Sequence, residues 1–66
     1  MHITLNGDRH EVAGPLTVTA LLDQLGIDAR RVAVEHNLTV LKRDTFATTL
    51  VQAGDAVEIV NFVGGG

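Results

Sequence analysis

Three consecutive glycines, Gly64-Gly65-Gly66, stand at the end of the sequence. At an average glycine usage of ~7%, such a run at a given place is expected about three times in ten thousand. Lacking Cβ atoms, it can thread a narrow channel and bring its backbone close to another protein. Extended, Val63 to Gly66 spans about 13 Å, at roughly 3.3 Å per residue. That is far enough to carry a terminal carboxylate into a partner's active site. A carboxylate is unreactive until one oxygen becomes a leaving group, as adenylation makes it. The chemistry on offer is therefore acyl transfer, with Gly66 as the substrate. An inert, frayed end is the competing reading, since termini commonly fray. Against it stands the apolar stretch Val57-Glu58-Ile59-Val60-Asn61-Phe62-Val63, which delivers the glycines without a polar spacer.

No other constellation competes. The chain has neither serine nor cysteine, which removes hydroxyl-triad and thiolate nucleophiles, disulfides and cysteine-ligated metals. His2, His10 and His36 include no helical i, i+4 pair, so a metal site is not expected. The carboxylates Asp8, Glu11, Asp23, Asp28, Glu35, Asp44, Asp55 and Glu58 are dispersed, mostly in predicted turns. They read as solvated turn and cap residues rather than an acid/base pair. The glycines cluster only at the end with no helix after them, so there is no phosphate-cradling loop. The expectation is a protein that is not itself an enzyme and holds no cofactor or metal.

At 66 residues a single domain is the only sensible count, with a thin stability margin. We assign residues 1–63 to that domain and 64–66 to a tail. Net charge is -3, with 8 acidic against 5 basic residues, a balance that argues against nucleic-acid binding. No apolar run approaches the ~20 residues of a membrane span. The start, Met1-His2-Ile3-Thr4, lacks the charged and apolar regions of a signal peptide. Cytoplasmic location is the expectation.

What must position the tail can be read from periodicity. Ile3 and Leu5 alternate with His2 and Thr4, as in a half-buried strand. Asn6-Gly7 follows, a strong hairpin signal because a type I′ turn needs positive φ at both central residues. In that register Ile3 faces His10 and Met1 faces Val12, and the second strand runs from about Arg9 to Ala13. Thr17 can cap a helix. Val18, Leu21, Leu22 and Leu25 form one apolar stripe on it, and Gly26 with Ile27 ends it in a Schellman stop. Val32 to Glu35 reads as a third strand, His36-Asn37 as a turn, and Leu38 to Leu41 as a fourth strand. Phe46 and Leu50 anchor a turn or one-turn helix in the polar connection from Lys42 to Thr49. Gly54-Asp55 is another turn, and Val57 to Phe62 is the last strand. Being apolar on both faces, it belongs at the centre of the sheet. The order β-β-α-β-β-β gives an α+β fold: a mixed sheet of four to five strands packed on one helix.

The last strand and tail, from Gly54-Asp55 through Val60-Asn61-Phe62-Val63 to Gly64-Gly65-Gly66, resemble the ThiS family of sulfur carriers. So do Asn6-Gly7, Thr17-Val18, Leu21-Leu22, Leu25, Val32-Ala33-Val34, Asn37, and Arg43 followed three residues later by Phe46. The resemblance covers the chain and implies a ubiquitin-like (β-grasp) fold. It also implies that a ubiquitin-activating-type (ThiF type) adenylyltransferase uses ATP and Mg²⁺ to adenylate the Gly66 carboxylate. Sulfur from a cysteine desulfurase or sulfurtransferase then displaces AMP. The resulting thiocarboxylate supplies sulfur to thiazole synthase (ThiG type) in thiamine biosynthesis. Gly64 and Gly65 would let the tail enter both enzymes. Val60, Phe62 and Val63 would form the docking surface, with Phe62 equally readable as core.

The sequence departs from the family pattern in two places. Ala20 replaces the glutamate that completes a capping box in many relatives, and Leu38 follows Asn37 where many have glycine. Three other readings remain open: a molybdopterin-synthase small subunit with the same thiocarboxylate chemistry, a ubiquitin-like modifier, and a binding module with an inert tail.

Overall fold

The computed structural model describes residues 1–62. Val63 and the glycines Gly64, Gly65 and Gly66 lie outside the described residues. β1 (His2–Leu5) and β2 (Asp8–Glu11) form the hairpin expected around Asn6-Gly7. Asn6 and Gly7 take φ of 50° and 85°, as a type I′ turn demands. Ile3 lies opposite His10, and the Val12 amide donates to the Met1 carbonyl at 2.9 Å. This register sends Ile3 and Val12 into the core together. β2 ends at Glu11 rather than Ala13.

β3 (Leu16–Thr17) leads directly into α1 (Val18–Gln24). The Thr17 hydroxyl accepts from the Ala20 amide at 3.1 Å, so the cap is made. With no acidic residue in the first turn, its reciprocal half is not. At the other end Gly26 adopts φ 70°, the left-handed value glycine tolerates best. The Ile27 amide reaches the Leu22 carbonyl at 2.9 Å, and the Gly26 amide reaches that of Asp23 at 3.1 Å. These are the two bonds of a Schellman stop. So short a helix would not persist alone in water; it is held because Val18, Leu21 and Leu22 are buried against the sheet.

β4 (Val32–His36) and β5 (Thr39–Val40) form a second hairpin, β6 (Leu50–Val51) pairs with β3, and β7 (Ala56–Asn61) completes the chain order. The main sheet runs β2-β1-β7-β4-β5. β1 and β7 are parallel and the other neighbours antiparallel. This is the mixed five-stranded sheet on one helix of a β-grasp fold, with β7 at its centre. The core combines Ile3, Val12, Val18, Leu21, Leu22, Val32, Val34, Val51 and Val57 with one aromatic ring, Phe46.

Three readings from sequence need correction. The turn after β4 is Asn37-Leu38, not His36-Asn37. His36 still pairs within the ladder, opposite Thr39, and positive φ falls on Asn37 (49°) and Leu38 (71°). Leu50 anchors no turn: it pairs with Thr17 in the small β3-β6 sheet. Strand alternation there buries Val51 and leaves Leu50 45% exposed. Phe46 does anchor the 3₁₀ turn Arg43–Thr45, as its buried C-cap residue. Finally, β7 is central but not buried on both faces: no element of the described residues covers the face that carries Glu58 and Val60.

Leu38 carries a conformational cost with no return, since its side chain is 89% exposed. A left-handed L-residue costs roughly 1–2 kcal/mol, against glycine's entropic penalty of roughly 0.5–1 kcal/mol. Leu38→Gly creates the favoured Asn-Gly turn. It is expected to stabilise the domain by about 0.5–1 kcal/mol, raising the melting temperature by about 3–6 °C. A lower melting temperature would show that the Leu38 backbone is unstrained.

Candidate functional site

The candidate site is the end of β7 and the residues it delivers. Along β7 the side chains of Val57 and Ile59 turn toward the helix, while Ala56, Glu58 and Val60 turn to the open face. On that face Val60 is 59% and Phe62 53% exposed. Phe62 is therefore not a core residue. Ala33 lies opposite Val60, and Glu35 lies opposite Glu58. The apolar pair thus adjoins a cross-strand pair of carboxylates, whose mutual repulsion works against the sheet. The other residues assigned to the tail, Val63, Gly64, Gly65 and Gly66, fall outside the described residues.

The start of β7 is fixed at Asp55. Its carbonyl accepts from the Thr4 amide at 2.9 Å. Its carboxylate meets His36 Nε2 at 2.7 Å and accepts from the Gln52 amide at 2.9 Å. Partial burial pushes this carboxyl's pKa up, but hydrogen bonds from His36, the Gln52 amide and Asn37 outweigh it and hold the group below the usual carboxylate range. Asn37, in its left-handed turn, donates its own amide to the Ala56 carbonyl at 2.8 Å. Its side-chain oxygen accepts from the Ala56 amide at 2.9 Å.

Further along, the Asn6 carboxamide acts as a surrogate strand. Its oxygen accepts from the Ile59 amide at 2.7 Å, and its nitrogen donates to the Ile59 carbonyl at 3.2 Å. Asn6 thus extends the parallel β1-β7 pairing past the end of β1. On the other edge the Phe62 amide donates to the Arg31 carbonyl at 3.0 Å. The loop bearing that carbonyl is stapled twice. Asp28 caps it by accepting from the Arg30 amide at 2.9 Å, and the Arg43 guanidinium donates to the Ala29 carbonyl at 3.2 Å. The Arg30 fork on Asp28 holds that carboxyl at about 2. β7 is hydrogen-bonded as far as Ile59 on its β1 side and Phe62 on its β4 side, so residue 62 is held in place by the fold.

Asn6, Asn37, Asp28 and Asp55 read from sequence only as turn or cap residues. Their partners stand up to 53 positions away, where no local pattern reaches. Asn6, Asn37 and Arg43 were singled out by the family resemblance, but without these partners. Among the described residues no group of three histidines and carboxylates could hold a metal, and no helix is long and apolar enough to cross a membrane.

Comparison with known proteins gives a consistent result. The ThiS family model matches residues 3–66. A crystal structure of a thiamine biosynthesis protein (ThiS) from Geobacter metallireducens is 46% identical with a TM-score of 0.88, each chain covering 100% of the other. A thiazole synthase of Paramagnetospirillum magneticum is 44% identical over all 66 residues, and one of Magnetococcus marinus is 41% identical. The chain spans about a fifth of the length of these curated relatives, 20% in each case. The match from Ile3 through Gly66, with a coextensive solved structure of the same fold, places this chain in the ThiS family.

Proposed function

We propose that the chain is a sulfur carrier of thiamine biosynthesis whose working group is the carboxylate of Gly66. A ubiquitin-activating-type adenylyltransferase directs that carboxylate onto the α-phosphorus of ATP, with Mg²⁺ neutralising the phosphates, and pyrophosphate leaves. A persulfide sulfur from a cysteine desulfurase or sulfurtransferase attacks the acyl adenylate and expels AMP. A second thiol then cleaves the acyl disulfide, leaving a thiocarboxylate on Gly66. With no cysteine of its own, the chain contributes none of these thiols. It supplies the acyl group and the surfaces that present it. Thiazole synthase takes the sulfur, and Gly64 and Gly65 let the tail enter both enzymes.

The observation that carries this reading is the family match, which runs through Gly66 itself. It is supported by the exposed apolar residues Val60 and Phe62 immediately before the tail. With Val63 they form the docking surface, since exposed apolar side chains grouped beside a functional group favour an interface over open water. Thiazole synthase as acceptor draws support from the two relatives of that name, each containing a segment alignable with this whole chain.

The test is the intact mass of the protein purified from its own host, with fragmentation to localise any change. The expected result is one oxygen replaced by one sulfur at Gly66. Oxidation of Met1 adds nearly the same mass, so localisation decides. An unmodified Gly66 that also fails to react with ATP and the adenylating enzyme would overturn the assignment.

A further inference from the structure

β7 has two edges, and they end differently. On the β4 side the ladder is complete to the last described residue, where the Phe62 amide meets the Arg31 carbonyl. On the β1 side the backbone groups belong to the odd-numbered residues. The Val57 carbonyl accepts from the Asn6 amide at 2.9 Å, and both backbone groups of Ile59 are taken by the Asn6 side chain. The next residue of that parity is Asn61, which is exposed and stands in a non-hydrogen-bonded position opposite Val32. Among the described residues neither its amide nor its carbonyl has a partner. Asn6 therefore closes the edge as far as Ile59 and leaves an open donor-acceptor pair one strand period further on.

We infer that this edge is a strand-addition site. The adenylating enzyme that acts on Gly66 pairs an extended backbone segment with Asn61. The inference rests on the carrier reading above and names how the carrier is gripped. Geometry supplies the occupant. From Asn61 to Gly66 is five residues, about 17 Å at roughly 3.3 Å each, so an enzyme reaching the Gly66 carboxylate has its surface beside this edge. An unpaired strand edge is a ready template for another chain. Main-chain bonds at such an edge supply affinity in strand addition, while side-chain contacts supply specificity; Val60 and Phe62 on the adjoining face provide those contacts. In the complex β7 becomes the middle of an intermolecular sheet.

The test is hydrogen exchange at the Asn61 amide of the full chain, free and mixed with the adenylating enzyme and Mg-ATP, with adenylation followed in the same mixture. Fast exchange is expected in the free protein, slowing at least about tenfold in the complex. Two substitutions separate backbone from side chain. Asn61→Pro removes the outward N–H without touching the β4 ladder, and proline is tolerated where its nitrogen faces solvent. It is expected to weaken binding at least about tenfold, while Asn61→Ala stays within about twofold of wild type. If Asn61→Pro does not fold, the wild-type exchange measurement alone decides. Adenylation with Asn61 unprotected, or wild-type affinity of Asn61→Pro, overturns the strand-addition site and leaves the carrier reading standing. Protection that grows with concentration of the free protein assigns the edge to a second copy and overturns it equally. No adenylation of the wild-type chain overturns the carrier reading and this inference with it.

Discussion

Deleting Gly66 is expected to abolish sulfur loading while leaving the melting temperature within about 1 °C of wild type, because the two properties depend on different parts of the chain. Stability resides in the ten buried apolar residues of the core, which extend in sequence from Ile3 only as far as Val57. The last described contact of the backbone is the Phe62 amide on the Arg31 carbonyl, and the core of the described residues ends at Val57. The deletion still leaves a carboxylate, on Gly65, but one residue short, about 3.3 Å. Adenylation requires that oxygen in line with the α-phosphorus, and a displacement of even ~1 Å can cost on the order of a hundredfold in rate. The fixed exit of the tail makes the shortfall hard to recover. Asn6, Arg43 and Asp28 hold β7 and its neighbouring loop in place, so β7 cannot be drawn out of the sheet to make up the length without breaking their bonds. Pyrophosphate release with the adenylating enzyme and a thermal melt provide the two readouts. Normal adenylation of the shortened chain would mean that the tail's length is not read. A melting temperature lower by several degrees would mean that the glycines pack.

How much of this was legible beforehand depends on the range of the interaction. The hairpin at Asn6-Gly7, the Thr17 cap and the Gly26 stop follow from residues within a few positions of one another, and each was read correctly. The central place of β7 followed from its apolar composition, although that composition has two causes. Val57 and Ile59 face the core, whereas Val60 and Phe62 face solvent on the open side. A strand hydrophobic for burial and one hydrophobic for docking have the same pattern, and for that reason Phe62 was undecidable from sequence. The small β3-β6 sheet was missed because two-residue strands carry no periodicity. The turn after β4 was misplaced by one residue, since a leucine at φ 71° runs against the preference for glycine there. Least legible was the support of the site. The Asn6 carboxamide on Ile59 and the Asn37 carboxamide on Ala56 join residues 53 and 19 positions apart, and in sequence both asparagines are already explained by their turns.

The second large effect is expected from removing the apolar pair on the open face. In the double variant Val60→Ser, Phe62→Ser, affinity for the adenylating enzyme should fall about a hundredfold or more. Central apolar anchors contribute around 2 kcal/mol each when truncated, and 1.4 kcal/mol is a factor of ten. Serine is preferable to a charged residue here. Glu35 and Glu58 already oppose one another on this face, and a further carboxylate would mix electrostatic repulsion with loss of apolar contact. Folding should suffer little, because 59% of Val60 and 53% of Phe62 are in water before any substitution. Exposed sites of this kind change stability by about 0.5 kcal/mol, with up to about 1 kcal/mol for lost strand propensity. Leu50→Ser is the matching control. Leu50 is 45% exposed but belongs to the separate β3-β6 sheet, so its truncation should leave affinity unchanged. Were all three substitutions to weaken binding equally, the effect would be general to surface hydrophobicity and the open face would lose its claim. Were none to matter, recognition would reside in the tail and the β7 edge alone, and the exposed side of β7 would need another occupant.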